Sequence, residues 1–419
     1  MDSIMKTWVL NSLIFVSLSI IMFGCSEDSD MLSVPDGITT AAELSDTLEE
    51  IVTETEAPGF AVTLVKNNQV LYQEAFGYAD IEGEVAYTNQ TIQHLGSISK
   101  TFVGAAVVKA VEDGLFTLDT DINDILPVEV VNPKQPDAVI QIKHLATHTS
   151  GLLDNTDFYI QENYYILPGE DLSTPGAEVL HSGLGIQQRR ARSLEEFLAE
   201  YYLEDGDMYT LNNFAPTAPG EAWSYSNTAT ALAAYLIEAA TGASFADYVK
   251  EKVLTPLGMN SSSYRLAEVN QAQLAKWYLD EDTPLPLYDN DSYPEGSMYT
   301  TNADMGKYLL DMSRGVMGES NVLFSSSGYD LLFDARLSPG IVPAGFAENH
   351  GIFWYHKGGT VQHGGNSLGI STHLEINKAT GSGYVLITNM DASFSDTEAE
   401  YAKVAQLIDQ AVSAFLASN

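Results

Sequence analysis

The chain has 419 residues, 45% of them apolar, and carries 57 acidic side chains against 19 lysines and arginines, for a formal net charge of −38. This length and composition suit a compact globular protein with a sizeable core, while the acidity repels nucleic acid and anionic lipid and favours solubility. Cys25 is the single cysteine, which excludes an intramolecular disulfide and a zinc site built on thiolates.

Lys6, the apolar run from Trp8 to Phe23 and the closing Gly24-Cys25 read as a bacterial lipoprotein signal over residues 1–24, with Cys25 as the lipidated first residue of the mature chain. The run is short for a membrane span. Residues 25–37 read as an acidic tether and 38–419 as the folded domain. Removal of Asp2 and Lys6 with the signal leaves the net charge unchanged, so the acidity belongs to the mature protein. The expected location is that of an exported lipoprotein of the outer membrane, on its periplasmic face or at the cell surface, held by its N-terminal lipid.

Thr39 to Glu54 reads as an amphipathic helix, followed by strands over Phe60 to Val65 and Val70 to Phe76 around the turn Asn67-Asn68. Ser97-Ile98-Ser99-Lys100 then opens a helical pattern of Phe102, Val103, Ala106, Val107, Ala110 and Val111, with Gly114 as its stop. Residues three apart share a helix face, so Lys100 falls where its amine can take up or orient the Ser97 hydroxyl proton. The spelling alone decides nothing: Ser3 to Lys6 repeats it inside the signal, and serine is also a favoured helix cap. His144 and His148 have the spacing of helical metal ligands, but Thr149-Ser150-Gly151 breaks the helix and no carboxylate completes a motif, so no metal is expected. From Leu153 to Ala218 the pattern weakens. Tyr159, Tyr164, Tyr165, Tyr201, Tyr202 and Tyr209 stand there among acidic, Pro and Gly residues, either as a substrate-covering lid or as packing of a helical region.

Tyr225-Ser226-Asn227 precedes a helical stretch from Thr228 to Ala240 that Gly242 stops, and a second helix runs from Phe245 to Leu254. Tyr288-Asp289-Asn290 repeats the spelling in a Pro/Asp-rich segment without a helical pattern. Pro294-Glu295-Gly296-Ser297 leads through Thr301 into a helix from Asp304 to Met312. Two glycine boxes follow, Lys357-Gly358-Gly359-Thr360 and His363-Gly364-Gly365, and the strands Ile370 to Ile376 and Tyr384 to Thr388 favour the second. Gly365-Asn366-Ser367-Leu368-Gly369 matches the nucleophile elbow of α/β-hydrolases, but an elbow needs a following helix and Ile370 to Ile376 alternates at period two. The chain closes in a helix from Thr397 to Leu416 whose Val404, Ile408, Ala411 and Phe415 face the sheet.

Ser97-x-x-Lys100, Tyr225-x-Asn227 and His363-Gly364-Gly365, in this order over about residues 38–417, resemble the serine β-lactamase and penicillin-binding protein superfamily. The resemblance is to the branch of class C β-lactamases, D-alanyl-D-alanine carboxypeptidases and related esterases, and Gly351 to Tyr355 resembles the strand that precedes the third motif there. It implies an α/β fold, an antiparallel sheet flanked by helices with strands from both chain ends, and an all-α lobe from the middle, the site lying between them. It further implies Ser97 as nucleophile, Lys100 and Tyr225 as proton relay with Lys100 depressing the phenol's pKa, and Asn227 orienting Lys100 and binding a substrate carbonyl. The backbone amides of Ser97 and Asn366 form the implied oxyanion hole, His363 contacts substrate, and Gly364 and Gly365 let it approach the strand. No cofactor is implied. The expected activity is cleavage of an ester or amide in a small-molecule or peptide-like substrate through an acyl-enzyme. Esterase or D-amino-acid peptidase stands ahead of β-lactamase, because His363 replaces lysine and Gly364 has no hydroxyl for a substrate carboxylate. A true class C-like β-lactamase and a catalytically silent cell-envelope binding protein are the alternatives.

Overall fold

The structure is a computed structural model that describes residues 32–35 and 37–419; the signal, Cys25 and most of the tether lie outside the described residues. Helix α1 (Ala41–Thr53) begins at Thr40, whose hydroxyl and the Glu43 carboxylate form a capping box, and it buries Leu44, Leu48 and Ile51. Strands β1 (Gly59–Lys66) and β2 (Gln69–Asp80) turn at Asn67 and Asn68. Both asparagines have positive φ, 53° and 61°, as the tight hairpin turn requires. A short β3 (Val85–Ala86) follows.

Ser97 does not open the α-helix itself. It lies in a 3-10 turn, Gly96–Ile98, from which α2 (Ser99–Glu112) continues, and Gly114 at φ +73° ends that helix as expected. Most of α2 is buried all round, so it is a core helix and not an amphipathic surface one. Helix α3 (Asn227–Thr241) starts at the Ser226 cap and stops at left-handed Gly242. The following helix, Phe245–Val249, runs on through a π turn, Lys250–Leu254. Helix α4 (Asn302–Val316) is capped by Thr301, two residues earlier than the sequence pattern.

Tyr159, Tyr164, Tyr165, Tyr201 and Tyr202 are all buried, and Tyr209 packs against the core, so these side chains serve as packing. The Tyr201 hydroxyl donates to Leu153 O at 2.9 Å and that of Tyr202 to Thr228 Oγ1 at 2.8 Å, so these rings tie the helix Leu194–Tyr202 to the loop at Leu153 and to α3. The helical part also carries a small sheet in which Tyr164–Ile166 lies between Gln187–Gln188 and Tyr288–Asn290.

The last part of the chain supplies β4 (Asn349–His350), β5 (Tyr355–Lys357), β6 (Thr360–Ser367), β7 (Ile370–Asn377) and β8 (Gly383–Thr388), then α5 (Ser395–Ser418). The strand expected over Gly351 to Tyr355 is displaced: Phe353 has φ +55° and donates its N–H to Ala146 O at 2.9 Å, so 351–354 is a buried loop. All eight strands pair antiparallel in the order β3-β2-β1-β8-β7-β6-β5-β4. Helices α1 and α5 cover one face, where Val404, Ile408, Ala411 and Phe415 join Leu44, Leu48, Phe60 and Leu386 in one apolar cluster. The opposite face packs on α2 and α4.

Candidate active site

The turn Gly96–Ile98 presents Ser97 half-buried, and neither the turn nor α2 is capped by its hydroxyl. The hydroxyl instead accepts from Lys100 Nζ at 2.9 Å. The same ammonium donates to Glu295 O at 2.9 Å and to Glu295 Oε2 at 2.7 Å, so its three hydrogens are all engaged. Lys100 is 0% exposed and Glu295 is 3% exposed. Removing one partner from a pair so enclosed costs about 3–5 kcal/mol. Burial pushes the Lys100 ammonium below the ordinary lysine range, and the Glu295 charge opposes that shift.

Tyr225 is brought in by the loop ahead of α3. Its ring centre lies 5.0 Å from Lys100 Nζ and 4.6 Å from the His148 ring. Burial holds the phenol well above its usual range; the Ser97 hydroxyl eases this and the Glu295 charge adds to it. The expected depression by Lys100 is not the dominant effect in this geometry, where burial raises the phenol's pKa. Asn227 also departs from its expected role. Lys100 spends its hydrogens on Ser97 and Glu295, and Asn227 Oδ1 is buried without a partner. The Asn227 N–H donates to Asp154 Oδ2 at 2.7 Å and that of Thr228 to Asp154 Oδ1 at 2.9 Å, so a buried carboxylate holds the start of α3.

Strand β6 lies against the serine turn at a seam only glycine permits. A Cβ on Gly96, at φ +54°, would come within 3.0 Å of Asn366 N; one on Gly365 would come within 2.2 Å of Leu95 O. Thr372 on β7 fastens the seam by donating its hydroxyl to Leu95 O at 2.7 Å. Along β6, buried His363, Gly365 and Ser367 alternate with half-exposed Gln362, Gly364 and Asn366. Asn366 thus turns its side chain to the other face and offers the seam its backbone alone. Because β5 pairs no further than Gln362, the edge of β6 away from β7, from His363 to Ser367, has no strand beside it among the described residues.

His363 Nδ1 donates to Gly364 O at 2.6 Å, and its ring stacks on Tyr355 with centres 4.4 Å apart. Burial and the nearby Lys100 charge hold its pKa well below the ordinary histidine value. Trp223, Phe346 and Tyr355 build an apolar wall beside Tyr225. Ser97, Lys100, Tyr225, His363 and the glycines of β6 therefore converge.

The competing spellings have other duties. Tyr288 in Tyr288-Asp289-Asn290 donates its hydroxyl to Leu368 O at 2.6 Å from inside the small sheet. Lys357-Gly358-Gly359-Thr360 is a hairpin turn, with Gly358 and Gly359 at φ +59° and +81°. Gly369 turns β6 into β7 and not into a helix, so the elbow match fails. His144 Nδ1 accepts from Gln141 N and His148 Nδ1 from Ser226 N. The sequence reading gave no role to Glu295 or Asp154. A lone acid between Pro294 and Gly296 was the available signal for the first; nothing marked the second.

A family model described as Beta-lactamase matches residues 44–408. Penicillin-binding protein 4* of Bacillus subtilis (strain 168) is 25% identical over 351 residues, 78% of this chain and 67% of that one. Esterase EstB of Burkholderia gladioli is 28% identical over 236 residues, 56% of this chain and 54% of that one. The chain thus spans about half to two thirds of the length of these curated relatives. The octameric penicillin-binding protein homologue from Pyrococcus abyssi superposes with a TM-score of 0.66 at 23% identity, covering 87% of this chain and 76% of that one, which shows a shared fold. With the match running across most of the described fold and through every element of the converging site, the chain belongs to the Beta-lactamase family.

Proposed function

We propose that this protein is a serine hydrolase that opens an ester or amide through an acyl-enzyme on Ser97. The observation that carries the reading is the 2.9 Å contact of Lys100 Nζ with Ser97 Oγ, with Tyr225 beside that nitrogen. Ser97 Oγ attacks the substrate carbonyl, and the amides of Ser97 and Asn366 at the glycine seam receive the developing oxyanion. Tyr225, kept a phenol by burial, serves as acid toward the leaving group. A neutral imidazole at 363 and a glycine at 364 offer a substrate carboxylate neither charge nor hydroxyl, and the wall of Trp223, Phe346 and Tyr355 suits an apolar group. These features, with the similarity to an esterase, support an esterase or D-amino-acid peptidase ahead of a β-lactamase.

An activated phosphonate is expected to label the wild type and not Ser97→Ala. Turnover of a short-chain nitrophenyl ester is expected to fall by at least about 10³-fold in that variant. Label retained on Ser97→Ala removes the nucleophile assignment, and efficient penicillin or cephalosporin turnover reverses the order of substrates. We also propose export and anchoring through lipid on Cys25; Cys25→Ala is expected to move the protein from the membrane to the soluble fraction.

A further inference from the structure

In the resting geometry neither relay group is ready for the Ser97 proton. The Lys100 ammonium has donated all three hydrogens, one of them to Ser97 itself, and the Tyr225 phenol is protonated. Glu295 is the remaining group in contact. We propose that Glu295 accepts a proton from Lys100 across their 2.7 Å contact, so that Ser97, Lys100 and Glu295 act as one relay. The proposal rests on Ser97 being the nucleophile; Glu295 acts through Lys100 and is a positioning residue.

The protons balance at every stage. Transfer from Nζ to Oε2 turns an ammonium and carboxylate into an amine and carboxylic acid with no change in their sum. The freed Nζ lone pair takes the Ser97 hydroxyl proton as Oγ bonds to the substrate carbonyl carbon and the carbonyl π pair moves onto its oxygen. When that oxygen re-forms the double bond, the bond to the leaving group breaks. The leaving atom takes the Tyr225 proton, the phenolate takes one from Lys100, and Glu295 returns its own to Lys100.

The surroundings favour such a shift, since the hydration that would hold the ions apart is missing. Against it, Tyr159 donates its hydroxyl to Glu295 Oε1 at 3.3 Å and so favours the carboxylate; burial keeps Tyr159, Tyr164 and Tyr264 protonated, so none of them adds a charge beside the pair. His148 and His363 are held neutral by burial, with Lys100 adding to the effect. Asp154 is the other facing carboxylate. Burial raises its pKa, but the α3 amides already occupy its oxygens.

The Lys100–Glu295 pair is competent with one shared proton and blocked with two, so the acid limb of kcat/KM belongs to the pair. In Glu295→Gln the competent amine must be made by titrating Lys100 itself, which moves the limb upward. Were Glu295 only a fixed anion favouring the ammonium, its loss would move the limb downward; were it only packing, the limb would stay.

The test measures kcat/KM for a neutral nitrophenyl ester, and the rate of phosphonate labelling of Ser97, against pH. The expected result for Glu295→Gln is an acid limb raised by about one pH unit or more, with activity recovering at alkaline pH. Glu295→Asp is expected to keep the wild-type limb. A limb unmoved or lowered in Glu295→Gln overturns the proposal while Ser97 labelling stands; no labelling of the wild type overturns the nucleophile reading as well. If Glu295→Gln does not fold, Tyr159→Phe carries the test. That variant removes the hydroxyl that donates to Oε1 and is expected to move the limb upward, and an unmoved limb overturns the proposal.

Discussion

A carbonyl oxygen can only accept, so the 2.6 Å contact between His363 Nδ1 and Gly364 O fixes the proton on Nδ1 and leaves Nε2 as a lone pair. Among the described residues that Nε2 is buried without a partner, and burial holds the ring's pKa well below the ordinary histidine value. The His363 ring resonances are therefore expected not to titrate around the ordinary histidine value of about 6.5. By the same argument kcat/KM carries no imidazole limb near pH 6.5; finding one that His363→Gln abolishes would contradict this account. At this scale Ser97, Lys100, Tyr225 and His363 were legible because each belongs to a short spelling with a local mechanism. Glu295 was not, since its meaning depends on a lysine 195 positions away. Asn227 shows the converse: its spelling is intact, while the contact to Lys100 that it suggested is made by Glu295 and its Oδ1 has no partner among the described residues.

Elements, and not single groups, make the seam between the serine turn and β6. Gly365→Ala would drive a Cβ into Leu95 O and is expected to abolish Ser97 labelling, even where circular dichroism shows the fold retained. Thr372→Val leaves the buried Leu95 carbonyl without its hydroxyl donor. It is expected to cost about 1–3 kcal/mol in denaturant unfolding and to lower kcat more than it changes KM. The sequence revealed most of these elements through periodicity: α1, the β1–β2 hairpin, α3, β7, β8 and α5 all lie within a few residues of where apolar spacing and turn residues put them. It misplaced the strand before β6. Residues 351–354 are fully buried and apolar enough to imitate a strand, and only the left-handed Phe353 backbone shows that they are a loop. The tyrosine-rich middle hid its order because its contacts are hydroxyls reaching loops, which leave no period in the sequence.

On the scale of the molecule, the sheet joins the two ends of the chain: β1 pairs with β8, Phe60 opposite Thr388. Asn419 Nδ2 donates to Thr39 O at 3.2 Å, so the folded domain begins and ends at one place. A circular permutant that links these ends with a short flexible segment, and opens at the exposed turn around Gly318, is expected to keep ester turnover. Loss of folding in that permutant would show that the native order of β1 and β8 is needed. This closure also dictates when the protein can first act. A chain emerging from the ribosome carries its serine, lysine and tyrosine long before β6, β7 and β8 are translated. Until those late strands arrive the serine turn lacks β6 to pack against, and His363 and the Asn366 amide are still missing, so the newborn polypeptide holds only part of the site.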